Sequence, residues 1–569
     1  MEKRWVINEP GDEETVGALM ESLGVDRVIA NLLVQRGITT FDMAKAFFRP
    51  SLDDLYDPFL MKDMTKAVDR LVIAMEKQER VMVYGDYDVD GTTSVALVYT
   101  YLKSHFDFID YYIPDRYSEG YGISKTGIDY AAENNISLVI ALDCGIKAIE
   151  KIAYASEKGV DFIICDHHTP DENLPNAVAV LDPKRGDCEY PCDVLSGCGV
   201  GFKLMQGLSI RKNWQFETLI PLLDLLAVSI ASDIVPITGE NRVLTYYGLK
   251  QLNENPRLGL KTILKLAGVS KDLSVNDIVF KIGPRINAAG RIQSGNHAVQ
   301  LLIAEREEAA TLIGDTINGL NEDRKELDHN ITDEALERVA KSKTLLEKKS
   351  TVLFDRNWHK GVIGIVASRM IETYYKPTVI LTESNGFATG SARSVDGFDL
   401  YNAISACSDL LENFGGHKYA AGLTMKIENV SAFQQRFEEY VCENITDDML
   451  VPQIKVDASI KLSDITPKFF RVLKQFEPFG PKNMTPVFIS EKVVDYGYSR
   501  PVGRNKEHLK LSVVDDIREG DVKGGIAFSM GNLYSKISSG SPFDVCYSVQ
   551  ENEYMGKVET QLMVRDIKF

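Results

Sequence analysis

The chain of 569 residues is 44% hydrophobic and 26% charged, which excludes a single small binding module and a disordered chain, and predicts about four domains at roughly 150 residues each. Its 64 basic and 82 acidic residues give a formal net charge of -18, and this balance by itself disfavours a polyanionic partner, because nucleic-acid-binding proteins usually present a basic face. No apolar run approaches the roughly 18 residues that span a membrane, and residues 1–12 contain no signal-peptide core, so we expect a cytoplasmic protein without a membrane partner.

The first half of the chain changes character near residue 80. Residues 1–75 predict a helical N-terminal segment, with an amphipathic pattern over residues 26–36. Beyond it, short β-branched runs alternate with helical stretches. These runs cover residues 81–85, 138–142, 162–165 and 177–181. Such alternation predicts βαβ units, and hence a doubly wound parallel-sheet α/β domain over residues 76–304.

Acidic and histidine side chains follow the predicted strands. They are Asp86, Asp88 and Asp90 after the first, Asp143 after the second, and Asp166, His167 and His168 after the third, and Asp233 follows an apolar helical run. Because the carboxyl ends of parallel strands share one edge of a sheet, we expect these side chains to lie close together. Carboxylates this dense would repel one another without bound cations, and carboxylate oxygens with imidazole suit Mn²⁺ or Mg²⁺ better than Zn²⁺. The pattern therefore predicts a two-metal phosphoryl-transfer site.

Other interpretations of these motifs explain fewer residues. The run of aspartates imitates the start of a calcium loop, but Leu97 stands at the twelfth position, where a bidentate Glu is needed. Residues 88–92 also resemble the nucleophile loop of haloacid-dehalogenase-type phosphatases, which would leave the His pair and Asp143 unexplained. No G-x-x-x-x-G-K-[ST] motif occurs, and the eight cysteines are irregularly spaced, which favours reduced thiols over zinc.

The second half predicts three further parts. Residues 305–349 form a Pro-free polar stretch with helical spacing of its apolar positions, which we interpret as a solvated connecting helix. A second α/β domain is expected over residues 350–445. Residues 446–569 alternate apolar and polar positions between turn residues, which is typical of a small antiparallel β-barrel. An aromatic and basic run there suits single-stranded nucleic acid, although two packed tyrosines in a polar hairpin would fit equally well. The run comprises Tyr496, Tyr498, Arg500, Arg504 and Lys506.

These motifs together resemble a known family. GDYDVDG at 85–91, LDCG at 142–145, DHH at 166–168 and SDIVP at 232–236 resemble the DHH phosphoesterase superfamily, and GGHKYAAG at 415–422 resembles its DHHA1 domain. PDRYSEGYG at 114–122, GPRINAAGR at 283–291, GSARS at 390–394 and EPFG at 477–480 resemble the RecJ family of bacterial exonucleases. Residues 481–483 depart from the family, which usually has another glycine before the asparagine.

The resemblance implies a role for each matching residue of the site. Asp86 and Asp143 would hold one metal ion, and Asp88, Asp143, His167 and Asp233 the other, with Asp143 bridging. His168 would act with Asp143 and Asp90 in catalysis by facing the scissile phosphate, and Asp90 and Asp166 would orient their neighbours. Arg116, Ser391 and Arg393 would bind the 5′-phosphate, and Arg285, Arg291 and His417 would contact the strand around what we interpret as an Asn-Ala-Ala-Gly turn.

The family implies a 5′-3′ exonuclease of single-stranded DNA that releases 5′-mononucleotides with two Mn²⁺ or Mg²⁺ ions. It also implies an OB fold at the C-terminus and roles in recombination, mismatch repair and other DNA repair. Single-stranded-DNA-binding protein and a RecQ-type helicase would be partners, and we expect a monomer. The alternative is a DHH-type phosphodiesterase acting on nanoRNA or cyclic dinucleotides.

Overall fold

The computed structural model describes residues 2–269, 272–516, 521–554 and 557–569. The chain forms two compact units: Met1–Ser51 belongs with Val451–Phe569, and Leu52–Leu450 forms the other. The N-terminal segment expected over residues 1–75 is thus divided between the two units after Ser51. The other domain boundaries stay predictions.

The N-terminal part of the first unit contains one strand and three helices. They are β1 (Arg4–Ile7), α1 (Glu13–Leu23), α2 (Arg27–Gln35) and α3 (Phe41–Phe48). The Asp12 carboxylate accepts a hydrogen bond from the Thr15 N–H and so caps α1, and Gly24 ends that helix at φ 63°. The helical expectation for this segment is confirmed except at β1.

The second unit begins with α4 (Met64–Glu76) and continues into a parallel five-stranded sheet. Its elements are β2 (Arg80–Gly85), α5 (Val89–Lys103), β3 (Ile109–Tyr112), α6 (Lys125–Glu133), β4 (Ile136–Leu142), α7 (Ile149–Glu157), β5 (Asp161–Cys165) and β6 (Ala179–Leu181). The strand order is β3-β2-β4-β5-β6, and every pairing is parallel. Successive residues of β2 point to opposite cores: Val81 and Val83 pack on one face, Met82 and Tyr84 on the other. The doubly wound α/β prediction is confirmed.

The sheet is completed by a helical region. Its helices are α8 (Gly197–Lys212), α9 (Leu223–Ser232), α10 (Gly239–Glu254), α11 (Leu258–Leu266), α12 (Val275–Asp277), α13 (Gly283–Ile292) and α14 (Asn296–Leu302). The expected Asn-Ala-Ala-Gly turn between Arg285 and Arg291 is wrong, because both arginines lie within α13. Pro284 is compatible with the first turn of this helix. Gly290 allows α13 to approach the chain closely, since a Cβ there would stand 2.6 Å from the Tyr87 carbonyl oxygen.

The connecting segment forms α15 (Glu307–Lys341) and α16 (Lys343–Glu347). The prediction of a long helix is confirmed, but the interpretation of a solvated spacer is wrong. Apolar residues at helical spacing are buried along one face of α15, among them Ile317, Ile331 and Ala335. This face packs on α11, α13 and α14 at one end and on α17 (Ile363–Tyr374) at the other. Most of the charged residues of α15 lie on its outer face, but Asp328 is buried and pairs with Arg369 of α17.

The rest of the second unit is a mixed sheet with helices. It consists of β7 (Thr351–Asp355), α17, β8 (Thr378–Ser384), β9 (Phe387–Arg393), α18 (Leu400–Ser405), β10 (Leu411–His417), β11 (Ala420–Lys426) and α19 (Val430–Asn444). The order is β10-β11-β9-β8-β7, with only β7 and β8 parallel. This second α/β arrangement agrees with the prediction, and it leaves β10 at a sheet edge.

The C-terminal part of the first unit is mainly β. Its elements are β12 (Gln453–Val456), β13 (Ala458–Ser459), α20 (Pro467–Lys474), β14 (Phe488–Asp495), β15 (Arg500–Val502), β16 (His508–Val514), β17 (Lys523–Ala527), α21 (Tyr534–Ile537), β18 (Phe543–Tyr554) and β19 (Lys557–Lys568). β14 pairs with both β18 and β16, so five strands join in a ring, and β1 adds to β12. Within the described ranges, the structure contains no helix with the length and apolar character of a membrane span.

Candidate active site

One edge of the parallel sheet carries the acidic cluster predicted from the sequence. Asp86, Asp143 and His167 follow β2, β4 and β5, and Asp233 ends α9. The His167 Nε2 atom lies 3.2 Å from Asp143 Oδ1, 3.5 Å from Asp233 Oδ2 and 3.7 Å from Asp90 Oδ2. The strand-end motifs therefore meet around one imidazole.

The N-terminus of α5 fixes the aspartates that follow β2. Asp88 is the N-cap and accepts a hydrogen bond from the Gly91 N–H at 3.0 Å. Gly91 is required for this close turn, because a Cβ there would stand 2.4 Å from the Asp86 carbonyl oxygen. The chain thus brings Asp86 and Asp88 to the same edge as the histidine.

Asp90 is held by three hydrogen bonds. Its carboxylate accepts from the Gly197 N–H at 2.7 Å and the Cys198 N–H at 3.0 Å, in the first turn of α8, and from Ser229 Oγ at 2.6 Å. With these partners, Asp90 can orient the cluster and brace α8 and α9 against α5. This arrangement supports the orienting role expected for Asp90.

We expect Asp90→Ala to lower stability sharply. It would leave the buried N–H groups of Gly197 and Cys198 without this acceptor, while the Ser229 hydroxyl can still bond Ser196 Oγ at 2.6 Å, which predicts a loss of about 3 kcal/mol in the free energy of unfolding. Ser229→Ala removes one of these bonds and should cost about 1 kcal/mol. Urea unfolding measures both, with the exposed Asp193→Ala as control, expected within about 0.5 kcal/mol of the unsubstituted protein. Equal stability of Asp90→Ala and the control would contradict this bracing role.

Several buried polar atoms of the cluster form no hydrogen bond in the described part of the chain. They are Asp86 Oδ1 and both ring nitrogens of His167. Burial, and then the neighbouring aspartates, raise the pKa of Asp143 well above its usual range and that of Asp233 to about 8. Burial lowers the pKa of His167, so its neutral ring can ligate. A divalent cation would balance the negative charge of these aspartates, and the oxygen and imidazole donors fit Mn²⁺ or Mg²⁺.

Two sets of donor atoms are close enough to share an ion. Asp143, His167 and His168 form one set and Asp90, His167 and Asp233 the other, and within each set the atoms lie within 4.8 Å of one another. The two sets contain three of the five expected ligands, Asp143, His167 and Asp233, together with Asp90 and His168, for which other roles were expected. The assignment of individual residues to each ion stays a prediction.

The His168 ring lies against that of His167, with ring centres 4.7 Å apart, and also lines an open cavity of about 1070 Å³ within the second unit. Its Nδ1 lies 2.7 Å from Asp166 Oδ1, and its Nε2 lies 3.3 Å from the Tyr121 hydroxyl. Burial alone would raise the pKa of Asp166. The hydrogen bond from His168 and the backbone donor of Ile146 outweigh this effect, and the net result is a pKa lowered to about 2. Although burial lowers the pKa of His168, the bond to Asp166 and the nearby acids raise it more.

The same cavity borders a group of cations. Arg116 and Lys360 line it, and Arg116 lies 4.8 Å from the centre of the Tyr87 ring. Burial, and then the charges of Arg116, Arg324 and Arg393, lower the pKa of Arg291 to about 10. Four separate elements thus contribute an arginine cluster, defined as Arg116, Arg291, Arg324 and Arg393. In the ranges that the structure describes, none of these four forms an ion pair with a carboxylate. Such a group is suited to bind an anion.

The remaining predicted residues divide into two groups. Arg393 donates to Ser391 Oγ at 3.0 Å, so these two meet as expected. His417 lies at the end of edge strand β10 and lines the cavity. Arg285 instead donates to the Lys281 carbonyl at 2.7 Å and to Asn318 at 3.2 Å. Being six residues before Arg291 on one helix, it lies on another face of α13, and the structure does not bring these two arginines together.

Sequence reasoning missed Tyr121, Arg324 and Lys360. Arg324 lies on the highly charged α15, and nothing in the surrounding sequence separates it from solvated charged residues of the same helix. Only the packing of α15 on α13 distinguishes it. Tyr121 lies inside the EGYG motif at residues 119–122, and this motif was the signal in the sequence that could have indicated it.

In the first unit, the aromatic and basic run is solvent-exposed. Tyr496 and Tyr498 are 42% and 70% exposed, and their ring centres lie 6.0 Å apart. The two rings pair with each other at the surface, so the alternative of two packed tyrosines in a polar hairpin stays open. His508 and Phe528 form a further ring pair at 5.0 Å, which the sequence did not indicate. Exposed rings beside Arg500 are suited to stack with unpaired bases.

Comparisons with known proteins agree with this architecture. The family model described as "DHH family, N-terminal domain" matches residues 80–230, the DHHA1 domain matches 347–443 and the RecJ OB domain matches 456–566. The single-stranded-DNA-specific exonuclease RecJ of Bacillus subtilis is 37% identical over 566 residues, covering 99% of this chain and 70% of that one. RecJ of Escherichia coli is 31% identical over 528 residues, covering 89% and 90%. The crystal structure of RecJ with Mn²⁺ from Thermus thermophilus has a TM-score of 0.85 at 26% identity and covers 100% of this chain and 79% of that one. The Mg²⁺ complex has a TM-score of 0.79 at 25% identity, covering 100% and 78%.

Proposed function

The chain belongs to the RecJ family of single-stranded-DNA-specific exonucleases, and we propose that it removes 5′-mononucleotides successively from the 5′ end of single-stranded DNA. The observation that carries this proposal is one cavity lined both by His168, which lies within 4.8 Å of the donor atoms of Asp143 and His167, and by Arg116 of the arginine cluster. A metal-dependent site alone would suit any phosphodiester. The adjacent anion site supports recognition of a chain end.

The arginine cluster is the proposed site of the terminal 5′-phosphate. Arg393 and Ser391 lie beside the first turn of α17, where a Cβ on Gly364 would stand 3.0 Å from Ser391 Oγ and 3.1 Å from the Arg393 guanidinium. The helix N-terminus adds a favourable dipole and free N–H groups. A phosphate bound here would place the next phosphodiester of the strand at the acidic cluster, and so set the direction of digestion.

The proposed reaction is hydrolysis of the bond between phosphorus and the 3′-oxygen of the terminal nucleotide. Water adds its oxygen to phosphorus, the 3′-oxygen leaves and takes up a proton, and the shortened strand begins again with a 5′-phosphate. When bound at Asp86, Asp88, Asp143, His167 and Asp233, two divalent ions supply activation of the water and stabilisation of the entering and leaving oxygens.

His168 is proposed to stabilise the charge that develops on the scissile phosphate. Asp166 accepts the Nδ1 proton of His168 at 2.7 Å and fixes the orientation of the ring. The raised pKa of His168 favours the doubly protonated ring, so that Nε2–H can donate to a non-bridging oxygen. Tyr121 contacts the same nitrogen and restricts its position.

The test of this function uses one oligonucleotide in two labelled forms. With Mn²⁺ present, a 5′-phosphorylated strand carrying a 5′ label should release labelled mononucleotide from the first turnover. A strand carrying a 3′ label should release it only after the rest has been digested. Release of the 3′ label first, or no release from either strand, contradicts the proposal.

We expect Arg393→Met to weaken recognition of the terminal phosphate. A lost charge-assisted hydrogen bond is worth about 1.5 to 3 kcal/mol, which predicts a KM increase of roughly 10-fold to 150-fold on 5′-phosphorylated strands. Strands with a 5′-hydroxyl should show little change, because they cannot use this contact. Arg356→Met is the control, since Arg356 pairs with Glu383 at the surface. An equal KM increase on both kinds of strand would argue against a phosphate site here.

The small-substrate alternative is not favoured, because the RecJ OB domain matches residues 456–566 and the relatives named single-stranded-DNA-specific exonuclease RecJ span nearly the whole chain.

We further propose that the exposed run from Tyr496 to Lys506 contacts the incoming strand. A cytoplasmic location, a monomeric state, roles in recombination, mismatch repair and other DNA repair, and partnership with single-stranded-DNA-binding protein and a RecQ-type helicase are supported by the family resemblance. Analytical sedimentation tests the monomeric state. The rate of DNA digestion, measured with and without each added protein, tests the two partnerships.

A further inference from the structure

Ile234, the residue after Asp233, has an unusual backbone conformation. Its φ is 59°, in the left-handed region, and among the described residues it is the only β-branched one with a positive φ. This region is unfavourable for side chains branched at Cβ, whereas glycine and asparagine adopt it more readily. Residues in such conformations cluster at active sites, where neighbouring structure maintains them.

Burial does not explain why an isoleucine occupies this position. The Ile234 side chain is 68% exposed, whereas Val235 and Ile237 on the same segment are buried. The sharp turn that directs Asp233 toward His167 needs only the backbone conformation, which glycine would provide with less strain. The large apolar side chain therefore contributes neither to the core nor to the turn.

The position of Ile234 indicates which part of a bound DNA strand its side chain would contact. Asp233 Oδ2 lies 3.5 Å from His167 Nε2, and the next Cα follows at about 3.8 Å along the chain, so Ile234 borders the cluster that would hold the scissile phosphate. The cavity with Arg116 and His168 is not lined by Asp233 or Ile234. If the terminal nucleotide occupies that cavity, the part of the strand nearest to Ile234 is the second nucleotide.

We propose that the Ile234 side chain packs against the base of the second nucleotide and thereby helps to hold the strand beside the acidic cluster. This inference rests on the proposed exonuclease function. An aliphatic side chain offers an apolar surface to any base without reading its hydrogen-bonding edge, which suits an enzyme that acts on every sequence.

The test combines side-chain truncation with abasic substrates. Ile234→Ala and Ile234→Gly should both raise KM for single-stranded DNA about tenfold while kcat stays within about twofold, as expected for loss of the burial of one aliphatic side chain. Ile234→Gly should keep or raise the melting temperature, because it relieves the backbone strain. Leu312→Ala is the matched control, since Leu312 is 72% exposed on α15, away from the cluster, and should leave KM unchanged.

The abasic substrates locate the contact. An abasic second nucleotide should raise KM for the unsubstituted protein and abolish the difference from Ile234→Ala, whereas an abasic fifth nucleotide should preserve that difference. An unchanged KM in both Ile234 variants, or a difference that persists on every abasic strand, overturns the inference while the exonuclease function stands. If the unsubstituted protein releases no mononucleotide from an intact strand, the proposed function fails and this inference fails with it.

Discussion

Asp143→Ala should abolish hydrolysis, lowering the rate by about 10³-fold or more, while strand binding remains measurable. Asp143 is buried at the centre of the cluster, 3.2 Å from His167, and the family resemblance places it between both ions. Its removal would take ligands from two ions at once. The arginine cluster that is proposed to hold the terminal phosphate would remain intact.

Two measurements separate these effects. Fluorescence anisotropy with a labelled 5′-phosphorylated strand gives binding, and single-turnover digestion with excess enzyme gives the rate of the chemical step. Asp193→Ala, an exposed aspartate in the same domain, should match the unsubstituted protein in both. Near-normal turnover by Asp143→Ala would show that the two-metal assignment is wrong.

His168→Ala should lower kcat by about 10²-fold to 10³-fold with a much smaller change in KM, because the proposed hydrogen bond strengthens as charge develops on the phosphate. Asp166→Asn should give a smaller loss in the same direction, since it weakens the orientation of His168 and reduces the tendency of its ring to hold a second proton. His329→Ala, at an exposed position on α15, is the control.

The division between kcat and KM decides the role of His168. A purely structural contribution would lower the melting temperature and affect both constants. A KM increase with unchanged kcat would instead place His168 in ground-state binding of the strand.

The parts of the fold that the sequence predicts are those with a strong local pattern. β2, β4 and β5 are nearly continuous apolar runs, since both of their faces are buried, and each ends in a polar motif. β3 was missed because its residues, Ile109–Tyr112, are half-buried at the sheet edge and lack that signal. The predicted turn in α13 shows the opposite error, in which glycines that allow helix packing were interpreted as chain reversals.

The candidate site was predictable where chemistry follows a strand. Asp143 and His167 stand at positions that the rule for parallel sheets selects, and the structure brings them together with Asp233. Arg324 and Ile234 were not predictable, because their importance depends on the packing of α15 and on one backbone angle. These features exist only after distant segments have assembled.

The net charge of -18 disfavours a polyanionic partner only when it is averaged over the chain. Much of the acidity near the site is the aspartate cluster itself, which bound cations would neutralise. Arg116, Arg291 and Arg393 lie close enough for their charges to interact. Among the described residues, none of these three arginines forms an ion pair with a carboxylate. Local grouping of charge, and not its total, therefore determines what this protein can bind.

The most direct test of the central claim is anomalous diffraction at the manganese edge from crystals of the unsubstituted protein grown with Mn²⁺. We expect two peaks about 3.5 to 4 Å apart at the acidic cluster, both contacting Asp143 and one contacting His167. A cluster without an anomalous peak, or a single ion bound away from Asp143, would contradict the proposal that this site hydrolyses DNA with two metal ions.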